Sequence, residues 1–484
     1  MSQEVRNLEP KALWNHFADL NSVPRPSKKE ERVIAFMKAF GESLNLPTVV
    51  DEVGNVIIKK PASPGNENKT TVVLQSHLDM VHQKNNDTEF DFDTQGIDML
   101  IDGDWVKANG TTLGADNGLG VATIMTVLKS SDIDHPPIEA LFTIDEETGM
   151  TGAQGLKGGM LDAKIMLNLD TEDDDELSIG CAGGVDVTSK GSYRLVDTPQ
   201  GHVGLTLTVK GLSGGHSGMD IHKGKGNANK IMNRILWGAQ DVASFNISSI
   251  FGGSLRNAIP RESKATLVMS PTEVAKFMSY VEEISVDLKN EFRTTDSDLV
   301  VLMEESKAEA NAMHTEDQTS FLNAMYACPM GIYRMSPDMD DLVQTSNNIA
   351  RVELEKGKHV VMCLTRGSVD SEKYDLANSI KATFNMIGAD VAFEGSYPGW
   401  EPKPQSDIVD LMSNLYQEMY GAPARVNACH AGLECGILGT NYPEMEMISF
   451  GPNIRNAHSP DEKTQISSVQ KYWEYFLETL RRIN

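Results

Sequence analysis

Three short apolar segments, each followed at once by charged residues, constrain the fold of this chain more than any other feature. The segments are TVVLQS (71–76), IEALFTI (138–144) and IMLNL (165–169). Their length and β-branched content predict buried strands. Polar clusters begin where the segments end: His77-Leu78-Asp79, Asp145-Glu146-Glu147 and Asp170. Because open α/β sheets bind ligands at the ends of their strands, these clusters predict one shared site.

The order of the elements predicts two kinds of fold in one chain. A helix over 118–129 separates the first two predicted strands, which indicates an α/β mixed sheet with helices on both faces. After residue 183 strand pairs run beside helices, and the Pro/Gly-rich joint YPGWEPKP (397–404) then leads back to helices. Since 484 residues exceed one ordinary core, we predict an α/β domain (1–183 and 397–484) interrupted by an inserted α+β domain (184–396).

Local signals predict several individual elements. Ser27-Lys28-Lys29-Glu30 has the pattern of a capping box at the start of a helix. An extended pair surrounds the Gly54-Asn55 turn, and QTSNNIARVELEKGKHVVMCLTR (344–366) predicts a hairpin. The acidic run Glu172 to Glu176 is most simply interpreted as a solvated loop.

Charge and composition exclude several classes of function. The formal net charge of −26 repels phosphate backbones and anionic lipid, so we expect no nucleic acid and no membrane as partner. No apolar run reaches the roughly 18 residues of a membrane span, and MSQEVRNLEPKALW lacks the pattern of a secretory signal. The five cysteines are scattered without a CxxC pair, which argues against disulfides and thiolate zinc sites. We therefore expect a cytoplasmic protein with free thiols.

The polar clusters contain residue types that bind metal ions. His77 and Asp79 occupy alternate positions of an extended segment, so one carboxylate can hold a ring nitrogen of His77 while the other nitrogen binds a metal. Asp116, in TLGADNG before a helix, is either an N-cap or a carboxylate that bridges two cations. Glu146 and Glu147 belong either to a surface turn or to a carboxylate pair whose repulsion a cation relieves.

A single loop histidine such as His458 is usually not a metal ligand. The order in which these residues follow one another along the chain makes each of them a stronger candidate for one. Together they predict a metal site with two histidines and three carboxylates: His77, Asp116, Glu147, Asp170 and His458. Such ligands suit zinc, and also manganese or cobalt. Two cations bridged by Asp116 would lower the pKa of a shared water and polarise a carbonyl oxygen, and Glu146 would take the proton of that water as general base.

Seven motifs follow one another through nearly the whole chain: GADNG, DEETGMTG, CAGG, GLSGGHSGMDI, GGSLRNAIPRE, CHAGLECGI and ISFGPNIRNAHSPDE. In this order they resemble the dipeptidases of the aminoacylase and glutamate-carboxypeptidase family of co-catalytic zinc peptidases. The resemblance implies two zinc ions, one on His77 and Asp170 and one on Glu147 and His458, with Asp116 between them. It also implies that Asp79 orients His77 and that Glu146 is the base.

The same resemblance makes the inserted domain a lid and dimerisation domain. It implies that His216 reaches the carbonyl oxygen of the substrate, in many relatives from the partner subunit, so that a homodimer is expected. Asn257, Arg366 and Glu434 are further candidates for substrate binding. Arg366 offers a bidentate fork to a terminal carboxylate unless it is a surface arginine. Glu434 offers a carboxylate to an ammonium group unless it only begins a helix.

The resemblance favours hydrolysis of dipeptides, preferably with C-terminal histidine and including β-alanyl-histidine. A second interpretation is removal of the acyl group from an N-acyl amino acid on the same two metals. A third is a metal-stabilised binding protein without catalysis. Glu146 and Asp79 argue against the third, because a binding protein needs no base beside its metal.

Overall fold

Eleven α-helices and 25 β-strands make up the regular structure of residues 4–484, the part of the chain that this computed structural model describes. The first three residues of the N-terminal segment discussed above lie outside the described residues. The helices are α1 Lys11–Asn21, α2 Glu31–Ser43, α3 Ala115–Lys129, α4 Thr151–Gly155, α5 Ala228–Ala239, α6 Pro271–Glu291, α7 Thr315–Ala327, α8 Asp370–Asn385, α9 Asp407–Tyr420, α10 Glu434–Asn441 and α11 Ile466–Arg482.

The strands occur throughout the chain. They are β1 Thr48–Val50, β2 Val56–Lys60, β3 Val72–His77, β4 Met99–Asp102, β5 Trp105–Ala108, β6 Ile138–Thr143, β7 Ile165–Asn168, β8 Glu176–Cys181, β9 Gly183–Ser192, β10 Leu195–Asp197, β11 Val203–Lys210, β12 Gly215–His216, β13 Phe245–Gly252, β14 Ala258–Ile259, β15 Ser263–Met269, β16 Val300–Ser306, β17 Asn311–Met313, β18 Gly331–Met335, β19 Val343–Glu355, β20 Lys358–Gly367, β21 Asp390–Tyr397, β22 Arg425–Cys429, β23 Glu446–Ser449, β24 Ile454–Arg455 and β25 Lys463–Gln465.

The chain divides into two units. The first unit runs up to Gly180 and resumes over Pro402–Ala428 and Leu433–Asn484. The second unit comprises Cys181–Glu401 together with Cys429–Gly432. The domain boundaries predicted from sequence are 183/184 and 396/397, and the short segment of the second unit at Cys429–Gly432 has no counterpart in that prediction.

The first unit is built on an eight-stranded mixed sheet with the order β1-β2-β6-β3-β7-β23-β8-β22. Strand β3 runs parallel to β6 on one side and to β7 on the other, whereas β1 and β2 are antiparallel to their neighbours. Every residue of β3 and β6 is buried, as their apolar β-branched sequences predict. The predicted α/β mixed sheet is confirmed, and the carboxyl ends of three adjacent parallel strands lie at one edge.

The second unit contains a nine-stranded sheet, in which β18 pairs beside the main order β16-β11-β15-β13-β19-β20-β9-β21. Its pairs are antiparallel, and β19 with β20 forms the predicted hairpin. Helices α5 to α8 share one hydrophobic core with this sheet. Strand pairs with helices alongside are present as predicted, and a role as lid or dimerisation domain stays a prediction.

One local prediction is wrong, and the prediction of a solvated acidic loop is incomplete. Helix α2 begins near its predicted position, but no side chain caps it, because the Ser27 hydroxyl donates to Asp79 Oδ2 over 2.8 Å instead. The acidic run is held by ion pairs with cations that are distant in sequence. These pairs are Asp173–Arg455 (2.6 Å), Asp174–Lys471 (2.7 Å) and Asp175–Arg425 (2.7 Å). Tertiary partners, which local patterns do not report, decide both cases.

The five cysteines form no disulfide bond with one another, and four of them are buried. Within residues 4–484, no helix combines the length and the apolar character needed to cross a membrane.

One buried histidine of the second unit links stability to pH. His359 is 3% exposed and packs 5.2 Å from the Phe321 ring, and both of its ring nitrogens lack a hydrogen-bond partner among the described residues. Burial lowers the pKa of His359 from 6.5 to about 4, because the charged ring would lose its hydration.

We predict that His359 makes the protein less stable in acid. The unfolded chain binds a proton at His359 below about pH 6.5 and the folded chain only near pH 4, so stability falls as the pH drops through this window. The expected loss at this one site is about 1–2 kcal/mol between pH 7 and pH 5. Urea unfolding at both pH values should show a smaller shift in His359→Leu and an unchanged shift in His222→Leu, an exposed control. An equal shift in His359→Leu and wild type would contradict the prediction.

Candidate metal centre

Three parallel strands of the first unit deliver polar side chains to the same edge of the sheet. His77 is the last residue of β3, Asp170 follows the end of β7, and Glu146 and Glu147 follow the end of β6. Because β3 lies between β6 and β7, the three clusters meet although 93 residues separate His77 from Asp170. The strand-end rule therefore places these residues correctly.

Asp79 organises the centre although it belongs to neither group of possible ligands that contains Asp116. Its Oδ1 lies 3.3 Å from Nδ1 of His77, which leaves Nε2 of His77 to face the site. The same carboxylate accepts the backbone N–H groups of Glu146 (3.0 Å) and Glu147 (3.3 Å). Asp79 thus orients His77 and also fixes the backbone that carries the two glutamates, and only the first of these functions was expected from sequence.

Asp116 lies between the two histidines. Its Oδ1 is 3.2 Å from Nε2 of His77, and its Oδ2 is 3.2 Å from Nε2 of His458. Helix α3 has Gly114 as its N-cap with no side-chain cap, and Asp116 itself is non-helical at φ −81° and ψ 110°. The N-cap interpretation of Asp116 is therefore wrong, since its two oxygens point to different histidines.

Asp170 and Glu147 lie on opposite sides of Asp116. Asp170 Oδ1 is 3.6 Å from Nε2 of His77, and the Asn117 side chain donates a hydrogen bond to the same oxygen. Glu147 Oε2 is 3.0 Å from Nε2 of His458. Two groups of possible ligands result, one with His77, Asp116 and Asp170 and one with Asp116, Glu147 and His458.

The side chains of the centre bring together more carboxylates than positively charged groups. Burial and the neighbouring carboxylates raise the pKa of Glu147 and of Asp170, and they raise the pKa of Glu146 well above its usual value. Hydrogen bonds to Asp116 and Glu147 raise the pKa of His458 to about 11. Although burial opposes it, the adjacent carboxylates also raise the pKa of His77. The raised pKa values mean that these side chains hold their protons more tightly, and bound cations would relieve the repulsion between the carboxylates in place of those protons.

The residues fit a pair of divalent cations. In each of the two groups the ligand atoms lie within 4.8 Å of one another, and Asp116 belongs to both. Glu147 Oε1 is buried and has no hydrogen-bond partner among the described residues, which is costly for a carboxylate oxygen unless a cation contacts it. Imidazole and carboxylate donors without thiolate suit zinc, manganese or cobalt.

A tight turn aims the two glutamates into the centre. Asp145 adopts φ 56°, a left-handed conformation that reverses the chain directly after β6. Its buried carboxylate accepts hydrogen bonds from Lys28, Thr148 and Thr151. Asp145 is therefore occupied within the turn, and the residues after it are the ones that face the site.

Glu434 lies in a buried polar layer of the first unit. Ser449 donates to Asn168, Asn168 donates to Gln75, and Gln75 and Thr143 donate to Oε2 of Glu434 at 2.7 and 2.6 Å. Burial raises the pKa of Glu434 to about 7. Its other oxygen, Oε1, is buried and has no hydrogen-bond partner among the described residues, and its predicted role toward an ammonium group stays a prediction.

The other three predicted substrate residues belong to the second unit. The strand pair β12–β14 places His216 opposite Ala258 and so beside Asn257, whose carbonyl accepts the N–H of Ser217 over 2.8 Å. Nδ1 of His216 accepts the N–H groups of Gly218 and Met219, so the proton of the neutral ring lies on Nε2. His216 therefore presents a hydrogen-bond donor.

Arg366 is almost fully buried, with 4% of its surface exposed. Tyr397 OH lies 3.1 Å from Nη1, Ser217 Oγ lies 3.4 Å from Nε, and Nε2 of His216 lies 3.5 Å from Nη2. Within residues 4–484 no carboxylate forms an ion pair with this guanidinium at 4.0 Å or less. A buried cation without an anion is costly, which favours an anionic ligand here.

The sequence did not predict the residues that position the metal ligands and are not ligands themselves. Arg25, Asn117 and Glu462 are buried and contact the segments that carry the ligands. Glu462 lies within the motif ISFGPNIRNAHSPDE, four positions after His458, so a carboxylate at fixed spacing from a ligand was a usable signal. Arg25 has no comparable local signal, because its partners are backbone carbonyls distant in sequence.

Comparisons with known proteins agree with this geometry. A family model described as peptidase family M20/M25/M40 matches residues 73–482. The cytosol non-specific dipeptidase of Escherichia coli (strain K12) is 40% identical over 480 residues, which cover 99% of each protein. The crystal structure of aminoacylhistidine dipeptidase from Vibrio alginolyticus matches with a TM-score of 0.92 and 43% identity, over 100% of this chain and 98% of that one. A tripeptidase from Staphylococcus aureus, 16% identical with a TM-score of 0.57 over 98% of this chain and 99% of its own, shares the fold.

Proposed function

The chain belongs to peptidase family M20/M25/M40, and we propose that it is a metal-dependent dipeptidase that hydrolyses peptide bonds on a two-cation centre. The full-length relative from Escherichia coli is named a cytosol non-specific dipeptidase, and the structural relative from Vibrio alginolyticus is an aminoacylhistidine dipeptidase. These names support dipeptides as the substrate class and the cytosol as the location. A preference for C-terminal histidine, including β-alanyl-histidine, and a homodimer are finer proposals.

One observation carries the proposal: Asp116 belongs to both groups of possible ligands. Its two oxygens face the two histidines separately, as a carboxylate between two cations requires. We assign His77 and Asp170 to one cation, Glu147 and His458 to the other, and Asp116 to both. Zinc is the proposed cation, and the donor set also suits manganese or cobalt.

Glu146 is the proposed general base. When bound, the two cations would supply positive charge that lowers the pKa of a water molecule and of Glu146 and polarises the scissile carbonyl. Glu146 Oε2 lies 4.0 Å from Nε2 of His77, inside the centre, and Asp79 holds its backbone N–H. Its carboxylate would take the proton of the attacking water and pass it to the leaving nitrogen.

The second unit supplies groups suited to the polar ends of a peptide. Arg366 is a buried guanidinium that forms no close ion pair with a carboxylate of residues 4–484, and it would bind the terminal carboxylate of a dipeptide. His216 would donate from Nε2 to the carbonyl oxygen of the substrate, and the exposed Asn257 beside it would contribute an amide. In the first unit, Glu434 is the proposed site for the ammonium group, since its buried Oε1 has no hydrogen-bond partner among the described residues.

The proposal is tested by metal removal and by a choice of substrates. Chelator treatment should abolish cleavage of carnosine and of an alanyl dipeptide, and zinc or manganese should restore it, because the centre lacks compensating charge without cations. An N-acetyl amino acid should remain intact in the same assay. Cleavage of the N-acetyl compound alone would instead identify an amidohydrolase. Cleavage of none of them after reconstitution would identify a binding protein.

Glu146→Gln should keep its metal and lose turnover. The amide is isosteric but takes up no proton, so kcat should fall by about 10²–10⁴-fold. Metal content by mass spectrometry and kcat by peptide assay are the measurements, with Glu52→Gln, an exposed carboxylate of the same unit, as control. Near-normal turnover in a metal-loaded Glu146→Gln protein would rule out this base.

Arg366→Lys should lower the activity toward a dipeptide with a free terminal carboxylate more than the activity toward its C-terminal amide. The ammonium keeps the charge but loses the planar fork, so kcat/KM for a dipeptide should fall by about 10–100-fold, as for loss of a charged hydrogen bond. The C-terminal amide of the same dipeptide should be affected much less. Arg351→Lys, an arginine of strand β19 that pairs with Glu353, serves as control. Equal losses for acid and amide would show that Arg366 does not bind the carboxylate.

A further inference from the structure

A buried carboxylate and a buried guanidinium hold one short segment of the first unit, Leu113–Asp116. Glu462 and Arg25 are each 2% exposed, and neither belongs to the ligand set proposed above. The segment ends at Asp116, so its position decides where the shared carboxylate lies. Such residues have a function beyond packing only if their contacts reach the other ligand segments as well.

Glu462 binds the segment through four successive backbone N–H groups. Its Oε2 accepts from Leu113 (2.7 Å) and Gly114 (3.0 Å), and its Oε1 accepts from Ala115 (2.8 Å) and Asp116 (3.3 Å). N–H groups that converge in this way form a site for one anion. Because Glu462 follows His458 by four residues, these bonds tie the His458 loop to Asp116.

Arg25 binds the same segment through a carbonyl group. Its Nη2 donates to the oxygen of Gly114 (2.6 Å), and its Nη1 donates to the oxygens of Leu78 (3.1 Å) and Asp79 (3.0 Å). The planar guanidinium therefore joins the Asp116 segment to the segment that begins at His77. The three joined segments together carry His77, Asp116 and His458.

The two charges depend on each other. Arg25 contacts carbonyl oxygens and the side chain of Asn21, whereas Glu462 contacts backbone N–H groups. The segment lies between these two side chains, and the positive charge of Arg25 and the negative charge of Glu462 attract each other across it. Gly114 adopts φ 68°, and a Cβ there would lie 2.5 Å from Arg25 Nη2, so only glycine allows this close approach. Among the carboxylates whose charge compensates Arg25, Glu462 has the largest effect, so its removal would leave the buried guanidinium less compensated.

We propose that Glu462 and Arg25 are positioning residues that set the spacing of the segments carrying His77, Asp116 and His458, and thereby the affinity of the centre for metal. This inference rests on the metal centre of the proposed function. Neither side chain touches substrate or metal in the proposal. Their effect is exerted through the backbone of Leu113–Asp116.

The decisive variant is Glu462→Gln in the full chain. The amide has the same shape, but its NH₂ group would face two of the four backbone N–H groups and accept from neither. Titration with zinc ions against a competing chelator should show about 10–100-fold weaker binding, the usual effect of losing a partner that orients metal ligands. Amide hydrogen exchange over Leu113–Asp116 should accelerate in the metal-free protein.

Glu139→Gln is the matched control. Glu139 is 3% exposed and accepts the N–H groups of Asp162 (2.9 Å) and Ala163 (3.1 Å) at the opposite end of β6 from the glutamates of the site. Loss of its carboxylate should lower the unfolding midpoint, as in Glu462→Gln, and leave zinc affinity unchanged. A general loss of stability is thereby separated from a loss of ligand spacing.

Each outcome decides the proposal. Zinc affinity within twofold of wild type and unchanged exchange in a folded Glu462→Gln protein would overturn it. If Glu462→Gln does not fold, Arg25→Lys takes its place, since one ammonium cannot span three carbonyls, and about tenfold weaker zinc binding is expected. Unchanged zinc affinity in Arg25→Lys would then overturn it. If wild type binds no divalent cation, the proposed function itself fails, whereas normal wild-type binding with unaltered variants refutes this inference alone.

Discussion

Repulsion among part-buried carboxylates is the constraint on which the rest of this site depends. Asp116, Glu146, Glu147 and Asp170 crowd around two histidines, and loss of hydration together with their mutual repulsion raises the pKa of three of these carboxyl groups. Buried like charges at this spacing destabilise a fold unless cations or protons compensate them. Positive charge would therefore stabilise this arrangement of carboxylates, and Asp116 is the residue that two cations would share.

Such repulsion would separate the ligand segments if nothing else held them. Asp79 and Glu462 oppose this separation in the same way, because each carboxylate accepts hydrogen bonds from backbone N–H groups of a neighbouring ligand segment. Hydrogen bonds to backbone restrict position more than hydrogen bonds to flexible side chains do. These two residues, with Arg25, make the scaffold rigid where the repulsion is strongest, which a two-metal centre needs for preorganised ligands.

The sequence predicted the elements of the site better than their support. The apolar strands, the polar residues at their ends and the helix after Asp116 were all visible as local patterns, and the resemblance to a peptidase family agreed with them. The capping box at Ser27 was wrong, because the Ser27 hydroxyl donates to Asp79 instead. The acidic run is a partly exposed loop, but its ion pairs with Arg425, Arg455 and Lys471 had no signal in the sequence. The buried hydrogen-bonded layer that contains Glu434 had none either.

The sequence by itself determined which residues end the parallel strands and hence which side chains meet at one edge of the sheet. The reason is local, since apolar segments of strand length are buried by the hydrophobic effect. The polar residues directly after them therefore lie at the ends of the strands. The tertiary structure alone decided how those side chains are held. Arg25, Asp79 and Glu462 act through backbone groups up to 349 positions away, and a backbone N–H or carbonyl carries no signature of its partner in the sequence.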